Sequence, residues 1–407
     1  MEEKQYIESA NLNWYNDINK IATLHRSETP LISRVELDNN VLKASEPFDF
    51  KFDGTSKFYP FELPKILENL DFQILVITGA SGAGKSVFSR YFGQEENITW
   101  SDDKAIASHF ANPDDAISRL CATGLASIPT WVKPYKVLSV GEKFRADMAR
   151  RLKSNCVIDE FTSTVNRETA LSCSASISKY IRKNNLQKCV FVSCHKDFID
   201  TLCPDYVVDL DDEAIYDTRR LPRRQFELSV YETQSKTEVW KVFKQHHYLS
   251  SDFNVASKVF VAYLNDSMVA MCAVLPQPGV ADGNAWRVHR LVVLPDYQGL
   301  GIATKLLEYV CDLFKYHGKI MYLRTSHTKL INHMKNSFKW FGDGKLKHSV
   351  KEAGLLKDRK INDERLSASF RYDCPCTFNA EYNYDGIYFP INKPDENKIN
   401  IESVSLW

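Results

Sequence analysis

The chain has 407 residues, 44% of them hydrophobic, and 52 basic against 52 acidic side chains, so its formal net charge is zero. That length exceeds one ordinary core and predicts two or three domains, while the neutral balance does not force a nucleic-acid or membrane partner. The balance conceals a split: residues 1–220 hold 27 basic and 32 acidic residues, and the remainder holds 25 and 20. Ten scattered cysteines, several inside apolar runs where a thiol packs as a small hydrophobe, fit a reducing cytosol. Met1-Glu2-Glu3-Lys4 opens acidic with no apolar leader, and no run reaches the length of a membrane span, so a soluble cytoplasmic protein is expected.

Short apolar patches and a turn at Asp38-Asn39-Asn40 precede the alternating run Phe48 to Gly54, which reads as an exposed strand ending in a turn. Tyr59 follows and is a candidate to stack on a base, with a surface or core role the alternative. The apolar run Phe72 to Ile77 then leads into Gly79-Ala80-Ser81-Gly82-Ala83-Gly84-Lys85-Ser86 and a helix-compatible segment. This spacing is that of a phosphate-binding loop. Small residues let backbone N–H groups curl around anionic oxygens, Lys85 reaches the outer phosphates, and the Ser86 hydroxyl completes Mg²⁺ coordination. A strand is also expected over Asn97 to Trp100.

Farther on, Asn155 to Ile158 is a short apolar strand ending in Asp159 and Glu160, a pair suited to holding Mg²⁺ and polarising an attacking water. Before it, Leu138-Ser139-Val140-Gly141-Glu142 opens a basic helix whose N-terminus can face a phosphate. With Ser163-Thr164-Val165-Asn166 and His195 after the strand Val190 to Cys194, the set resembles the ATP-binding cassette (ABC) ATPases. Asp159 and Glu160 match that family's Mg²⁺ and catalytic carboxylates, Leu138 to Glu142 its signature, and His195 its switch histidine. Val140 and Asn166 depart from the usual glycine and aspartate, the helical insert is short, and no glutamine stands where the family has one, near Ser101. The resemblance implies ATP and Mg²⁺ as cofactors, with Gly79, Gly82, Gly84, Lys85 and Ser86 holding nucleotide and Ser86 and Asp159 holding metal. It also implies that Ser139 and Gly141 close on the loop of a second copy, giving an ATP-dependent homodimer.

The acidic run Asp209 to Glu213 and the basic Arg219 to Arg224 bracket a domain junction. Beyond it come a strand over Phe226 to Tyr231 and a helix from Lys236 to His247 with Val239, Trp240, Val242 and Phe243 on its apolar face. Strands near Val259 and Met268 follow, separated by a turn at Asn265 to Ser267. Next, Trp286 to Val293 forms a strand that runs through Gln298-Gly299-Leu300-Gly301-Ile302-Ala303 into a helix, a second place where backbone N–H groups can hold a pyrophosphate.

Gln298-x-x-Gly301-x-Ala303 after such a strand resembles the acetyl-CoA-binding motif of the GNAT acyltransferases. That resemblance implies that Leu291 and Val293 hold the pantetheine arm and Gln298, Gly299, Gly301 and Ala303 the pyrophosphate of acetyl-CoA. The strand lacks the glutamate that many of these enzymes use as a base. By period-two geometry Arg287, His289 and Leu291 share a face, and an imidazole titrates near neutrality, so His289 is one candidate base. His247 and Tyr248 are the others. Residues 315–373 carry 14 basic and 6 acidic residues interleaved with Phe338, Trp340, Phe341, Phe370 and Tyr372. That pattern suits either a nucleic-acid face or a solvated lysine-rich surface. Cys374-Pro375-Cys376 is too tightly spaced for a zinc ligand pair.

The expected fold is therefore α/β, an ABC-type P-loop ATPase domain followed by a GNAT-like mixed α/β acyltransferase domain. The boundaries expected are an extension over 1–45, the ATPase over 46–218, the acyltransferase over 219–375 and a tail over 376–407. The combination resembles a small family of ATPases fused to acetyltransferases, and more distantly the phage Mom-type DNA-modifying proteins. It implies an ATP-dependent N-acyltransferase that uses acetyl-CoA to modify a macromolecule, with nucleic acid the leading acceptor. Two alternatives stand beside it: an ATP-regulated protein or small-amine acetyltransferase, and an ATP-switched nucleic-acid-binding module with an inactive GNAT-like fold.

Overall fold

The computed structural model describes residues 19–48, 52–221, 226–247, 253–264, 267–278, 284–348, 366–374 and 399–404. The chain divides into two compact units with the break between Arg224 and Gln225.

The first unit is built on a six-stranded sheet. Its strands are β1 (Asn19–Thr23), β4 (Ile74–Thr78), β5 (Val157–Ile158), β6 (Cys189–Ser193), β7 (Tyr206–Asp209) and β8 (Ala214–Asp217), in the order β1-β8-β7-β4-β6-β5. β4, β5, β6 and β7 run parallel, and β8 and β1 add antiparallel. Every residue of β4 is buried, as expected of a β-branched strand covered on both faces. Ile74 and Val76 point into one core with Phe161, Ile177 and Phe191. Leu75 and Ile77 point into another with Phe88, Val190 and Val208. The helix Arg167–Lys183 starts where the Asn166 side chain accepts the Thr169 N–H, and it buries Ala170, Cys173, Ile177 and Ile181 along one face.

A separate antiparallel pair of β2 (Leu31–Arg34) and β3 (Thr55–Phe58) precedes β4 and the Gly79 to Ser86 loop. The expected turn at Asn39-Asn40 is instead the start of the helix Asn39–Ser45, because Asp38 accepts the Val41 N–H as an N-cap. Phe48 ends a 3₁₀ turn rather than starting a strand, and residues 49–51 of that expectation lie outside the described residues. Residues 97–100 are irregular instead of extended. They are tied to side chains of the helix Val140–Arg151: the Thr99 carbonyl accepts from Arg150 Nη1 at 2.5 Å and Trp100 Nε1 donates to Asp147 at 2.7 Å.

The second unit holds a nine-stranded sheet. In chain order its strands are β9 (Phe226–Thr233), β10 (Lys258–Leu264), β11 (Ser267–Pro276), β12 (Ala285–Val293), β13 (Ile320–Thr325), β14 (Trp340–Phe341), β15 (Lys347–His348), β16 (Leu366–Tyr372) and β17 (Ile399–Val404). They lie as β14-β16-β13-β12-β11-β10-β9-β17, with β15 also on β16. Among the described residues of this sheet only β12 and β13 pair in parallel, and the helix Ile302–Tyr316 makes the crossover that such a pair requires. That helix buries Ile302, Leu306, Leu307, Val310, Cys311 and Phe314. In the helix Lys236–Phe243, Val239, Trp240 and Phe243 face the core, whereas Val242 is exposed.

A polar seam joins the crossover helix to the last strands. Glu308 accepts from Lys339 Nζ at 2.8 Å and faces His333 Nε2 at 3.3 Å, and Asp312 accepts the Tyr372 hydroxyl at 2.6 Å. Lys315 pairs with Asp373 and the Cys374 carbonyl. Among the described residues no helix is long and apolar enough to cross a membrane.

Candidate functional site

The parallel strands of the first unit deliver their C-terminal ends to one edge, where loops carrying polar groups are commonly gathered. The loop after β4 turns through Gly79, Gly82 and Gly84 with φ of 153°, 82° and 101°. Gly82 and Gly84 thus occupy a region a Cβ disfavours, and Gly84 lacks room for one as well. A Cβ on Gly84 would lie 2.5 Å from Phe58 Cζ. It is Phe58, therefore, whose ring lies on the loop; the neighbouring Tyr59 is exposed, and its carbonyl accepts from Arg26.

Lys85 is buried, and its Nζ donates to the carbonyls of Gly79 and Ala80 at 2.9 and 2.8 Å. Ser86 Oγ donates to Asp159 Oδ2 at 2.7 Å, so a helix start and the end of β5 meet at the loop. A hydroxyl and a carboxylate are hard oxygen donors and fit Mg²⁺, whose remaining positions are ordinarily filled by phosphate and water. Glu160 is exposed and held in a left-handed conformation, φ 48°, with its carbonyl accepting from Ser163. Such strain in a non-glycine residue is retained where the surroundings over-determine it. His195 is exposed after β6, its N–H donating to Ser193 Oγ.

Ser139 caps the helix Val140–Arg151: its Oγ accepts the Glu142 N–H at 3.3 Å, and the Glu142 carboxylate accepts the Ser139 N–H at 2.9 Å. Burial opposes ionisation of Glu142, yet the bonds from Ser139 outweigh it and hold the carboxyl below its ordinary range. Gly141 faces Val165, where an added Cβ would make ordinary contact at 3.8 Å. The segments carrying Ser139 and Asn166 thus meet within one chain.

Two further loop contacts escaped the sequence reading. Asp211, which looked like part of an acidic linker, accepts the Ala80 N–H with both oxygens at 2.9 and 3.0 Å. Lys196, next to His195, pairs with the fully buried Asp209 at 2.6 Å. An apolar strand ending in Asp-Leu-Asp was the available signal for both carboxylates.

The second unit offers a different cradle. β12 pairs with β13 only at Ala285, Trp286 and Arg287. From Val288 to Val293 its edge toward β13 makes no ladder, so main-chain groups of Leu291 and Val293 face an opening. At its end, Gln298 Nε2 donates to the Val293 carbonyl at 3.1 Å, and Gln298 Oε1 is buried with no protein partner. Gly299 and Gly301 have φ of 95° and 84°, and Gly301 leads into the first turn of the crossover helix, with Ala303 in that turn. An orphaned buried oxygen beside a glycine loop that opens a helix fits a phosphate-bearing ligand with its own donors.

The expected grouping of Arg287, His289 and Leu291 on one face fails for Leu291, while His289 stays on the side of Arg290, against Phe253 and Trp240. Arg290 pairs with Ala273 and Val288 with Val274, so His289 is the extra residue of a β-bulge. Cross-strand partners then put Arg287 with Arg290 and Val292 on one face and Val288 with Leu291 and Val293 on the other. His289 lies 6.0 Å from the Phe253 ring, with Nε2 buried and unpartnered. Burial, reinforced by Arg290, Arg287 and His247, pushes its pKa down to about 4. It is thus a neutral imidazole of low basicity rather than one poised near neutrality. His247 packs edge-on against Trp240 at 5.8 Å, and Tyr248 lies outside the described residues.

Of the five aromatics singled out in the basic stretch, Trp340, Phe370 and Tyr372 are buried in the second unit's core, whereas Phe338 and Phe341 are exposed. Cys374 is a buried free thiol, and among the described residues no group of three or more His, Cys, Asp or Glu could hold a metal ion.

Residues 215–334 match the acetyltransferase (GNAT) family. No curated protein matched the sequence. Among solved structures, the chain is similar to an IAA acetyltransferase from Bacillus cereus ATCC 14579 at 14% identity, over 36% of this chain and 99% of that one, with a TM-score of 0.26. It is similar to a Bacillus subtilis acetyltransferase in complex with CoA at 13%, over 36% and 99%, with a TM-score of 0.28. It is likewise similar to the ribosomal-protein-S18-alanine N-acetyltransferase from Escherichia coli at 13%, over 40% and 99%, with a TM-score of 0.28. The opened strand, the glycine loop and the crossover helix all fall inside the matched range, so the second unit carries a GNAT acetyltransferase domain, the match itself beginning in β8 of the first unit.

Proposed function

We propose that the chain is an ATP-regulated N-acetyltransferase that draws its acyl group from acetyl-CoA. The observation that carries the acetyl-CoA reading is the parting of β12 from β13 directly before the Gln298 to Ala303 loop. Main-chain groups of Leu291 and Val293 hold the pantetheine arm, and the N–H groups around Gly299, Gly301 and Ala303 take the pyrophosphate. In the transfer an amine nitrogen attacks the thioester carbonyl, the C–N bond forms, the C–S bond breaks, and the thiolate takes up a proton. A base must relieve the attacking nitrogen of its proton, and the candidates are His289, His247 and Tyr248.

In the first unit, Lys85 and the Gly79 to Ser86 amides bind the phosphates of ATP, Ser86 and Asp159 hold Mg²⁺, and Glu160 and His195 flank the attacking water. This is supported by the Ser86–Asp159 contact and the left-handed glycines. Ser139 and Gly141 complete the site of a second copy, so ATP favours a dimer. The acceptor is a nucleic-acid base. That part of the reading is supported by exposed Phe338 and Phe341, the latter under the Arg371 guanidinium at 5.9 Å, beside exposed Lys345 and Lys347.

The test is transfer from labelled acetyl-CoA to DNA, RNA, a protein mixture and small amines, with and without MgATP, read by mass spectrometry. Label on a nucleobase that increases with ATP is expected. Label on lysine or small amines alone overturns the acceptor assignment, and failure to bind acetyl-CoA overturns the cofactor.

A further inference from the structure

The stretch from Glu95 to Trp100 has no helix or strand of its own, yet five side-chain contacts fix it to the helix Val140–Arg151 and its exit. Glu95 pairs with Arg151 at 3.3 Å, and the Glu96 carbonyl accepts from Arg151 Nε at 3.1 Å. Lys153 pairs with Glu96 at 2.6 Å, the Thr99 carbonyl accepts from Arg150, and Trp100 donates to Asp147. Arg150 also covers the Trp100 ring at 4.9 Å, and that ring stacks on Tyr135 at 4.9 Å and 8°. A segment pinned this heavily without backbone structure is holding something in place. The group it presents is the Glu95 carboxylate, whose Oε1 accepts the Asp159 N–H at 3.1 Å.

Asp159 is consequently fixed from three directions. Its N–H goes to Glu95, its Oδ2 receives Ser86 and its Oδ1 receives the Glu160 N–H at 2.8 Å.

We propose that Glu95 is a positioning residue for Asp159. It ties the far end of the helix that Ser139 opens to the carboxylate that meets Ser86, and it does so by accepting the Asp159 N–H. The inference rests on the ATP reading of the first unit. A residue in this outer layer typically changes metal affinity or activity about 10-fold to 100-fold when removed.

The experiment measures calorimetric affinity of the full chain for a non-hydrolysable ATP analogue, once with Mg²⁺ and once with EDTA, for wild type, Glu95→Ala and Glu95→Gln. Unfolding midpoints are recorded in parallel. Glu95→Ala is expected to cut the affinity gained from Mg²⁺ by about ten-fold while leaving the EDTA value and the midpoint unchanged. Glu95→Gln keeps an oxygen for the Asp159 N–H and is expected to retain the gain. A Glu95→Ala protein that matches wild type, or that weakens equally in EDTA, overturns the inference, as does Glu95→Gln failing like alanine. Wild-type protein that does not bind the analogue overturns the ATP reading itself, and the inference with it.

Discussion

Phe58 sits over Gly84 so closely that the loop can pass beneath the ring only because Gly84 has no side chain. Gly84→Ala meets two penalties, a left-handed φ of 101° and a Cβ only 2.5 Å from the Phe58 ring. The expected loss is about 1–3 kcal/mol for the first unit, read by urea unfolding. Combining it with Phe58→Ala should recover the steric part and leave the conformational part.

Asp147 accepts both the Trp100 indole N–H and the Tyr135 hydroxyl at 2.7 Å. Asp147→Ala leaves two donors without their carboxylate, an expected cost of about 2–4 kcal/mol. Tryptophan fluorescence during unfolding reports it, and a midpoint equal to wild type would show that water replaces the carboxylate freely.

Gly301 begins the crossover helix at φ 84°. Gly301→Ala should strain that turn by about 1 kcal/mol and shift the N–H groups that face the opened edge of β12. Acetyl-CoA affinity is expected to fall about ten-fold or more while the fold persists, checked by calorimetry beside circular dichroism.

His289 titrates at about 4 in the folded protein, below the ordinary imidazole value of 6.5. Its folded pKa is depressed, so its contribution to stability is complete above about 6.5 and is lost as pH falls toward 4. If it serves as the base, the acidic limb of the transfer rate should fall near pH 4 and disappear in His289→Gln. A limb near 6.5 assigns the proton transfer to another group.

Glu308 is held at about 2: burial alone would raise it, but bonds from His333 and Lys339 win. The folded pKa is depressed, so this stabilisation is whole above about 4.5 and is lost as pH falls through about 2. Denaturation midpoints measured from pH 5 to pH 2 should fall less steeply in Glu308→Gln than in wild type.

The two glycine loops were legible in the sequence because a short motif there is itself the backbone geometry: Gly82, Gly84, Gly299 and Gly301 stand where φ is positive. The helix opening after Ser139 was legible as well, while the Ser139–Glu142 capping box that fixes it emerged only in the structure. What depends on distant pairings was not. Glu95 and Asp211 gained their meaning only when residues 64 and 131 positions away arrived beside them. The aromatics of the basic stretch, which the sequence left open between a binding face and a solvated surface, are sorted only by the pairing of β16, which uses Phe370 and Tyr372 to fill a core and leaves Phe338 and Phe341 outside. Period-two reasoning failed on β12 because a single bulge reverses its phase.

That bulge makes His289 a spacer. Every other residue from Trp286 to Val293 has its own partner on β11, with Val288 and Arg290 on successive residues Val274 and Ala273. A chain shortened by this one position could keep all seven pairings and every side chain on its present face, losing only the local bend. The sheet itself makes no demand for the ninth residue of the strand; the curvature it imparts, and the imidazole it carries, are what a deletion would remove.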